Sequence, residues 1–178
     1  MIKRIRELNP AALIASKKFR EYAEKFESEI VRGIGKLVVL SVIRQFNDKG
    51  AYGYKILKEI EEQTKDTLVI DEGTLYPLLR NLKRDGLLTS EEKVISGRRR
   101  NYYIITKEGE QIFNHMAGVF SKMTEAVLPL FDVIVSLSHD KFYYCPMCAN
   151  KIDIDADERF CSVCGYNIYE ELKSRREQ

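Results

Sequence analysis

No stretch of this 178-residue sequence is long and apolar enough to span a bilayer. The richest candidates, Leu37–Ile43 and Val127–Leu137, are too short or too interrupted. Met1-Ile-Lys-Arg is basic but precedes neither an apolar core segment nor a cleavage site, so no secretory signal is read. There is no phosphate-cradling glycine loop, no Ser/His/Asp set and no carboxylate pair that can be placed in a cleft. Enzymatic chemistry therefore finds no support, and the chain is read as a non-catalytic protein. Histidine is limited to His115 and His139, both read as exposed residues on a helix or at its end.

Cysteine is nearly as scarce, and its placement is informative. All four cysteines lie in Cys145-Pro-Met-Cys148 and Cys161-Ser-Val-Cys164, two C-x-x-C turns separated by twelve residues. Each turn points two sulfurs at one place, and two turns complete a tetrahedral thiolate site. The expectation is one structural Zn²⁺ per chain on Cys145, Cys148, Cys161 and Cys164. A redox- or metal-responsive switch and a rubredoxin-like iron centre are weaker readings, because closed Cys₄ zinc sites are usually inert. Lys141–Ile168 has too few large apolar residues to form a core alone, so metal binding would supply much of its folding free energy. Thiols in metal-ligand spacing without export point to the cytoplasm. Asp153, Asp155, Asp157 and Glu158 argue against phosphate as the ribbon's partner and for another protein surface.

What remains is a globular composition, 44% hydrophobic and 31% charged, with a net charge of +2. The charge is unevenly spread: residues 80–100 carry seven basic against three acidic side chains, a local +4 where a polyanion would be met. After Pro10, apolar or small residues at Ala12, Ser16, Phe19, Ala23, Phe26 and Ile30 alternate spacings of four and three, predicting a helix that packs on a partner helix. A second, richer helix is predicted from Ile34 to Phe46, and a short amphipathic one over Tyr54–Gln63. A third runs from Thr74, taken as its N-cap, to Asp85, with Leu75, Leu78, Leu79 and Leu82 inward and Gly86 as the stop. The period then changes to two, predicting strands Leu87–Ile95 and Arg100–Thr106 around a Ser96-Gly97-Arg98-Arg99 turn. Thr106 caps a long helix whose apolar stripe runs through Ile112, Met116, Val119, Met123, Ala126, Leu130, Val133 and Leu137, with a break near Glu125 before Pro129. Met116, Phe120 and Met123 are read as an apolar dimer seam in preference to a ligand cavity.

Three helices followed by an arginine-rich hairpin is the order of a winged helix-turn-helix. In that architecture the second helix of the motif lies in the major groove, and basic flanks hold phosphates. Thr74 and Tyr76 open the candidate recognition helix. Arg80, Lys83 and Arg84 follow on its outer face, and Arg98, Arg99 and Arg100 form the wing. The fold class is thus mainly α with a small β wing, long dimerisation helices and a small C-terminal β zinc ribbon. The expected division is a wrapping helix over 1–32, a winged domain over 33–106, a dimer helix over 107–139, a ribbon over 140–170 and a charged tail over 171–178.

Gly73-Thr-Leu-Tyr-Pro-Leu-Leu-Arg-Asn-Leu-Lys-Arg-Asp-Gly-Leu-Leu88 and Ser96-Gly-Arg-Arg-Arg-Asn-Tyr-Tyr-Ile-Ile-Thr-Lys-Glu-Gly109, with Ala51-Tyr-Gly-Tyr-Lys-Ile upstream, resemble the signature of PadR-type transcriptional regulators. The resemblance covers about Gly33 to Gly109. It implies a homodimeric winged-helix repressor or activator bound to double-stranded DNA, with the helix after the wing exchanged between subunits. By matching position, Thr74, Tyr76 and Gly97 to Arg100 would contact DNA, and Tyr54 and Lys55 would contact phosphate. The chain departs from the family in its extended N-terminal helix and its cysteine module, about which the resemblance says nothing. With no tryptophan in the chain, the stacking of flat aromatic drugs known from some relatives cannot be carried over. A winged-helix and zinc-ribbon adaptor between proteins of the transcription machinery is the alternative reading.

Overall fold

The computed structural model describes residues 17–95, 97–131, 142–148, 150–155 and 158–176. Ala12 and Ser16, Val133 and Leu137, His139 and Asp157 fall outside them. The chain divides into two compact units, Met1–Glu110 and Gln111–Gln178.

In the first unit the two helices expected on either side of residue 33 are one. Helix α1 spans Lys17–Arg44 without interruption. Gly33 and Gly35 fall inside it, each costing about 1 kcal/mol relative to alanine. No proline follows, and the flanking residues are ordinary helix formers, so the glycines do not break the ladder. The C-terminal half buries Val39, Leu40, Val42 and Ile43, whereas Phe19, Tyr22, Phe26 and Ile30 of the N-terminal half are exposed.

A 3₁₀ turn (Asn47–Lys49) leads to the short strand β1 (Ala51–Tyr52) and then α2 (Gly53–Gln63), which buries Ile56 and Ile60 completely. The segment after it is packed, since Leu68, Val69 and Ile70 are all buried. Helix α3 (Glu72–Arg84) starts two residues before the expected Thr74, because Asp71 is the N-cap and its Oδ1 accepts from the Thr74 backbone N–H at 2.7 Å. Pro77 therefore lies in the second turn, where it has no N–H for the Gly73 carbonyl. Leu75, Leu79 and Leu82 pack inward.

Strands β2 (Leu88–Ile95) and β3 (Arg98–Ile105) form the hairpin, with β1 on the other side of β3, giving the antiparallel order β1-β3-β2. The pairing Ile95↔Arg98 closes a two-residue turn, tighter than the four-residue one expected. Gly97 takes φ +74 there, the left-handed region that two-residue hairpin turns demand. Arg98 and Arg99 are consequently strand residues, paired with Ile95 and Val94. Helix α4 (Lys107–Val127) begins where expected: Thr106 Oγ1 accepts from the Gly109 N–H at 2.9 Å and donates to the Gly86 carbonyl at 2.8 Å. Its first turn is tied to α1 by Arg44 Nε and Glu110 Oε2 at 3.1 Å. The helix stops at Val127 and continues as a 3₁₀ turn over Leu128–Phe131, as the residue before Pro129 should compel.

In the second unit, β4 (Phe142–Tyr144) pairs antiparallel with β5 (Lys151–Asp153), and a bridge joins Phe160 to Asn167. A helix, α5 (Tyr169–Arg176), runs through the start of the charged tail expected over 171–178. Its Leu172 joins Ile152, Ile154 and Ile168 around Cys145 and Cys161, so the ribbon has a small apolar core that reading only to Ile168 missed.

Candidate nucleic-acid interface and metal centre

Helix α3, the start of α2 and the hairpin enclose an open cleft of about 730 Å³. Its walls include Tyr54 from α2, Tyr76 and Arg80 from α3, and Arg98, Arg99 and Arg100 from β3. These six of the expected contact residues are brought together. Lys55, Thr74, Lys83, Arg84 and Gly97 do not line the cleft. Lys55 sits over the Phe46 ring at 4.5 Å. Lys83 Nζ donates to Ser90 Oγ at 2.7 Å, so it braces the helix on the hairpin, and Arg84 pairs with its neighbour Asp85 at 3.4 Å.

Tyr76 is placed by a close approach. A Cβ built on the buried Gly53 would stand 2.7 Å from Tyr76 Oη and 2.8 Å from Cε1. Only a glycine at the first position of α2 lets the phenol lie across the backbone there. The two motif fragments, Tyr52-Gly-Tyr54 and Thr74-Leu-Tyr76, are thus halves of one packing contact. Behind them Ala51 pairs with Tyr103 and Tyr52 with Tyr102. Burial, with Tyr76 nearby, pushes the Tyr103 phenol up while Arg80 pulls it down, so Tyr103 is a neutral wall near neutral pH.

The wing arginines are held in different ways. The Arg100 guanidinium lies over the Tyr52 ring at 4.3 Å, which fixes it as a planar donor at the cleft wall. Arg99 faces Glu92 at 3.7 Å in an exposed pair, an arrangement worth only about 0–1 kcal/mol and easily exchanged for a phosphate. Tyr52, Gly53, Asn101 and Tyr103 also line the cleft and were not singled out from sequence. The alternation of side chains in β1 and β3 was the available signal, had the two-residue strand been visible.

The four cysteines form no disulfide, and their sulfurs all lie within 4.8 Å of one another. Cys145 and Cys164 are 3.5 Å apart, Cys148 and Cys161 3.6 Å. Four sulfurs about 2.3 Å from a central Zn²⁺ would stand about 3.8 Å apart in a regular tetrahedron, so the donor set fits that ion. Burial drives the Cys148 thiol up to about 12, and it also raises Cys145. For Cys161 burial is outweighed by N–H groups of Val163 and Cys164 and by the neighbouring thiols, which bring it down to about 7. The His115 imidazole does not join the sulfurs; its Nδ1 meets the Cys148 carbonyl.

The PadR-like transcriptional regulator family model matches residues 39–115. A transcriptional regulator of Mycobacterium tuberculosis is 30% identical over 91 residues, a match that takes in 51% of this chain and 82% of that protein. The crystal structure of a PadR family transcriptional regulator from Eggerthella lenta superposes with a TM-score of 0.53 at 29% identity, over 65% of this chain and 94% of that one. A transcriptional regulator from Clostridium thermocellum gives 0.51 at 28% identity, over 56% and 94%. The family match ends before the cysteine pairs.

Proposed function

Because this chain belongs to the PadR-like family of transcriptional regulators, we propose that it binds double-stranded DNA with sequence specificity, as a homodimer, and acts by repression without catalytic activity. The observation that carries this reading is the cleft in which Tyr76 and Arg80 of α3 face the wing arginines. A helix N-terminus presenting a fixed tyrosine can read base edges in the major groove, while Arg98 and Arg99 take phosphates or enter the minor groove. Lys83 and Arg84 lie farther along α3 and would serve the flanking DNA backbone by exchanging Ser90 and Asp85 for phosphates.

Dimerisation draws support from apolar residues without cover among the described residues. Phe19, Tyr22, Phe26 and Ile30 of α1 are exposed, as are Val119, Phe120 and Met123 of α4. Stripes of this kind mark association surfaces. Two copies would bring two α3 helices to successive turns of one duplex. For the ribbon we assign one structural Zn²⁺, held by Cys145, Cys148, Cys161 and Cys164, with no open coordination position for a reacting water. No helix among the described residues is long and apolar enough to cross a membrane, in keeping with a cytoplasmic regulator.

Selection of bound sequences from random duplexes by the purified protein tests the reading, combined with sedimentation of the free protein. A two-fold symmetric consensus and a dimer are expected. Monomeric protein that binds all duplexes alike would overturn the proposal and favour a protein-protein adaptor instead. Tyr76→Ala and Thr74→Ala should each reduce the preference for the selected site over a scrambled one.

A further inference from the structure

Asn150 is the single buried side chain of polar or charged type among the described residues, only 5% exposed. It follows the first C-x-x-C turn and touches three of the four cysteines. Its carbonyl accepts from the Cys145 N–H at 2.9 Å. Its own backbone N–H is directed at the Cys148 sulfur. Its side-chain Nδ2 crosses to the opposite turn and donates to Cys161 Sγ at 3.8 Å.

The second turn repeats the first of these bonds but not the last. There the Cys161 N–H donates to the Tyr166 carbonyl at 2.8 Å, five residues on, as Asn150 is from Cys145. Tyr166, however, sends its hydroxyl away to Glu171 Oε1 at 3.3 Å. The amide bridge between the turns is therefore made once, from Asn150 to Cys161. An amide that donates to a thiolate spreads its charge without adding any of its own. Unlike a Lys or Arg, it needs no counter-charge in so buried a place.

We propose that Asn150 is a positioning residue for the metal centre, one that ties the two cysteine turns together and slows release of the ion by holding Cys161 in place as a ligand. The proposal rests on the Cys₄ metal reading. Outer-shell partners of this kind typically contribute about 10- to 100-fold in metal affinity. The amide's sign matters as much as its shape. Aspartate in its place is nearly isosteric and preserves both backbone bonds, but it turns an anion toward a thiolate. Leucine keeps the bulk and removes the donor.

The test uses the full chain loaded with Zn²⁺ or Co²⁺, comparing wild type with Asn150→Leu, Asn150→Asp and Asn150→Gln. Wild type should take up one ion per chain with the absorption of a cobalt tetrathiolate. Asn150→Leu should release the ion to a chelator about 10- to 100-fold faster, Asn150→Asp faster still, and Asn150→Gln, which keeps an amide, more slowly than either. The sulfur-to-cobalt charge-transfer band of Asn150→Leu should move to lower energy, because an unbonded thiolate is the better electron donor. Release rates equal to wild type in Asn150→Leu would overturn the proposal, as would Asn150→Asp releasing no faster than Asn150→Leu. A Leu or Asp variant that takes up no metal supports it when Asn150→Gln still binds, and overturns it when Asn150→Gln fails as well. Wild type that binds neither ion would remove the metal centre itself, and with it this role for Asn150.

Discussion

Gly53→Ala separates the position of Tyr76 from the stability of the fold. The new Cβ would stand 2.7, 2.8 and 2.9 Å from Oη, Cε1 and Cζ of Tyr76. Non-bonded carbons settle at about 3.5–4.0 Å, so the ring has to retreat by roughly 0.7 Å or more. It can do so, because these atoms are the far end of a side chain that is 39% exposed. Gly53 is the first residue of α2, after an extended Tyr52, and its backbone suits alanine. Where glycine's freedom is not needed, alanine typically adds about 0.4–1 kcal/mol through the unfolded chain. The melting temperature should therefore hold or rise slightly while the phenol swings away from its place. A misplaced base contact costs about 1–3 kcal/mol of discrimination, or roughly 5- to 150-fold in the ratio of selected to scrambled duplex affinity. Fluorescence anisotropy at one fixed salt concentration reads that ratio. A double-mutant cycle completes the argument: with Tyr76→Ala already present there is room for the methyl, and Gly53→Ala should have no further effect. Equal losses in both backgrounds would refute the packing argument. A folded Gly53→Ala protein with undiminished discrimination would refute the claim that Tyr76's placement is read by DNA.

Removing two wing charges, with Arg98→Ala plus Arg99→Ala, should weaken binding to every duplex and lower the slope of log K against log salt by up to about 1.8 units. A slope that does not change would take the wing off the phosphates. Asp71→Ala should cost about 0.5–2 kcal/mol by removing the cap of α3, measured by denaturant unfolding. Although partial burial opposes it, the bond from the Thr74 N–H holds the Asp71 carboxyl below its ordinary value. The cap's contribution is thus complete above the carboxylate's unfolded value, about 3.9, and is lost as pH falls through the lower folded one. Wild type should lose stability relative to Asp71→Ala only in that acidic window, and a gap that persists below it would contradict the cap assignment. Chelation should abolish the dispersed amide signals of residues 142–172 while the winged unit melts as before. Joint loss of both units would contradict the division at Glu110.

The parts of this fold legible in the sequence are those set by local chemistry. Thr106 stands before Lys107 with a hydroxyl able to reach the Gly109 N–H, and α4 begins there. Pro129 forbids continuation through Leu128, and the α-helix ends at Val127. The cysteine spacing needs no tertiary information, and the sulfurs do converge. What was misread depended on competition between neighbours. Both Asp71 and Thr74 are good caps, and Asp71 prevails because a start at Glu72 lets its carboxylate reach the Thr74 N–H. Two helices were expected where there is one, and Gly33 and Gly35 lie inside it: a helix already buried at Val39 and Leu40 can absorb about 2 kcal/mol of glycine cost without parting.

The composition of the cleft is legible in the sequence, but its geometry is not. Arg98 to Arg100 are evident as charges, but their division of labour follows from the register of β3 with its two neighbours. Tyr52 pairs with Tyr102, so Arg100, two residues before Tyr102, falls on the Tyr52 side, while the pairings Val94↔Arg99 and Glu92↔Asn101 put Arg99 on the side of Glu92. A one-residue slip of β1 against β3 would exchange the faces and leave Tyr52 without its cation. Gly53 likewise carries no signal alone; its meaning appears only when Tyr76, 23 positions later, is found against it. The same limit applies in the ribbon. Asn150 is an unremarkable residue in the sequence until folding sets its amide against the sulfur of a cysteine eleven residues away. In each case the chemistry-bearing residue was visible and the one that positions it was not, because positioning is a relation between two segments that only the fold brings together.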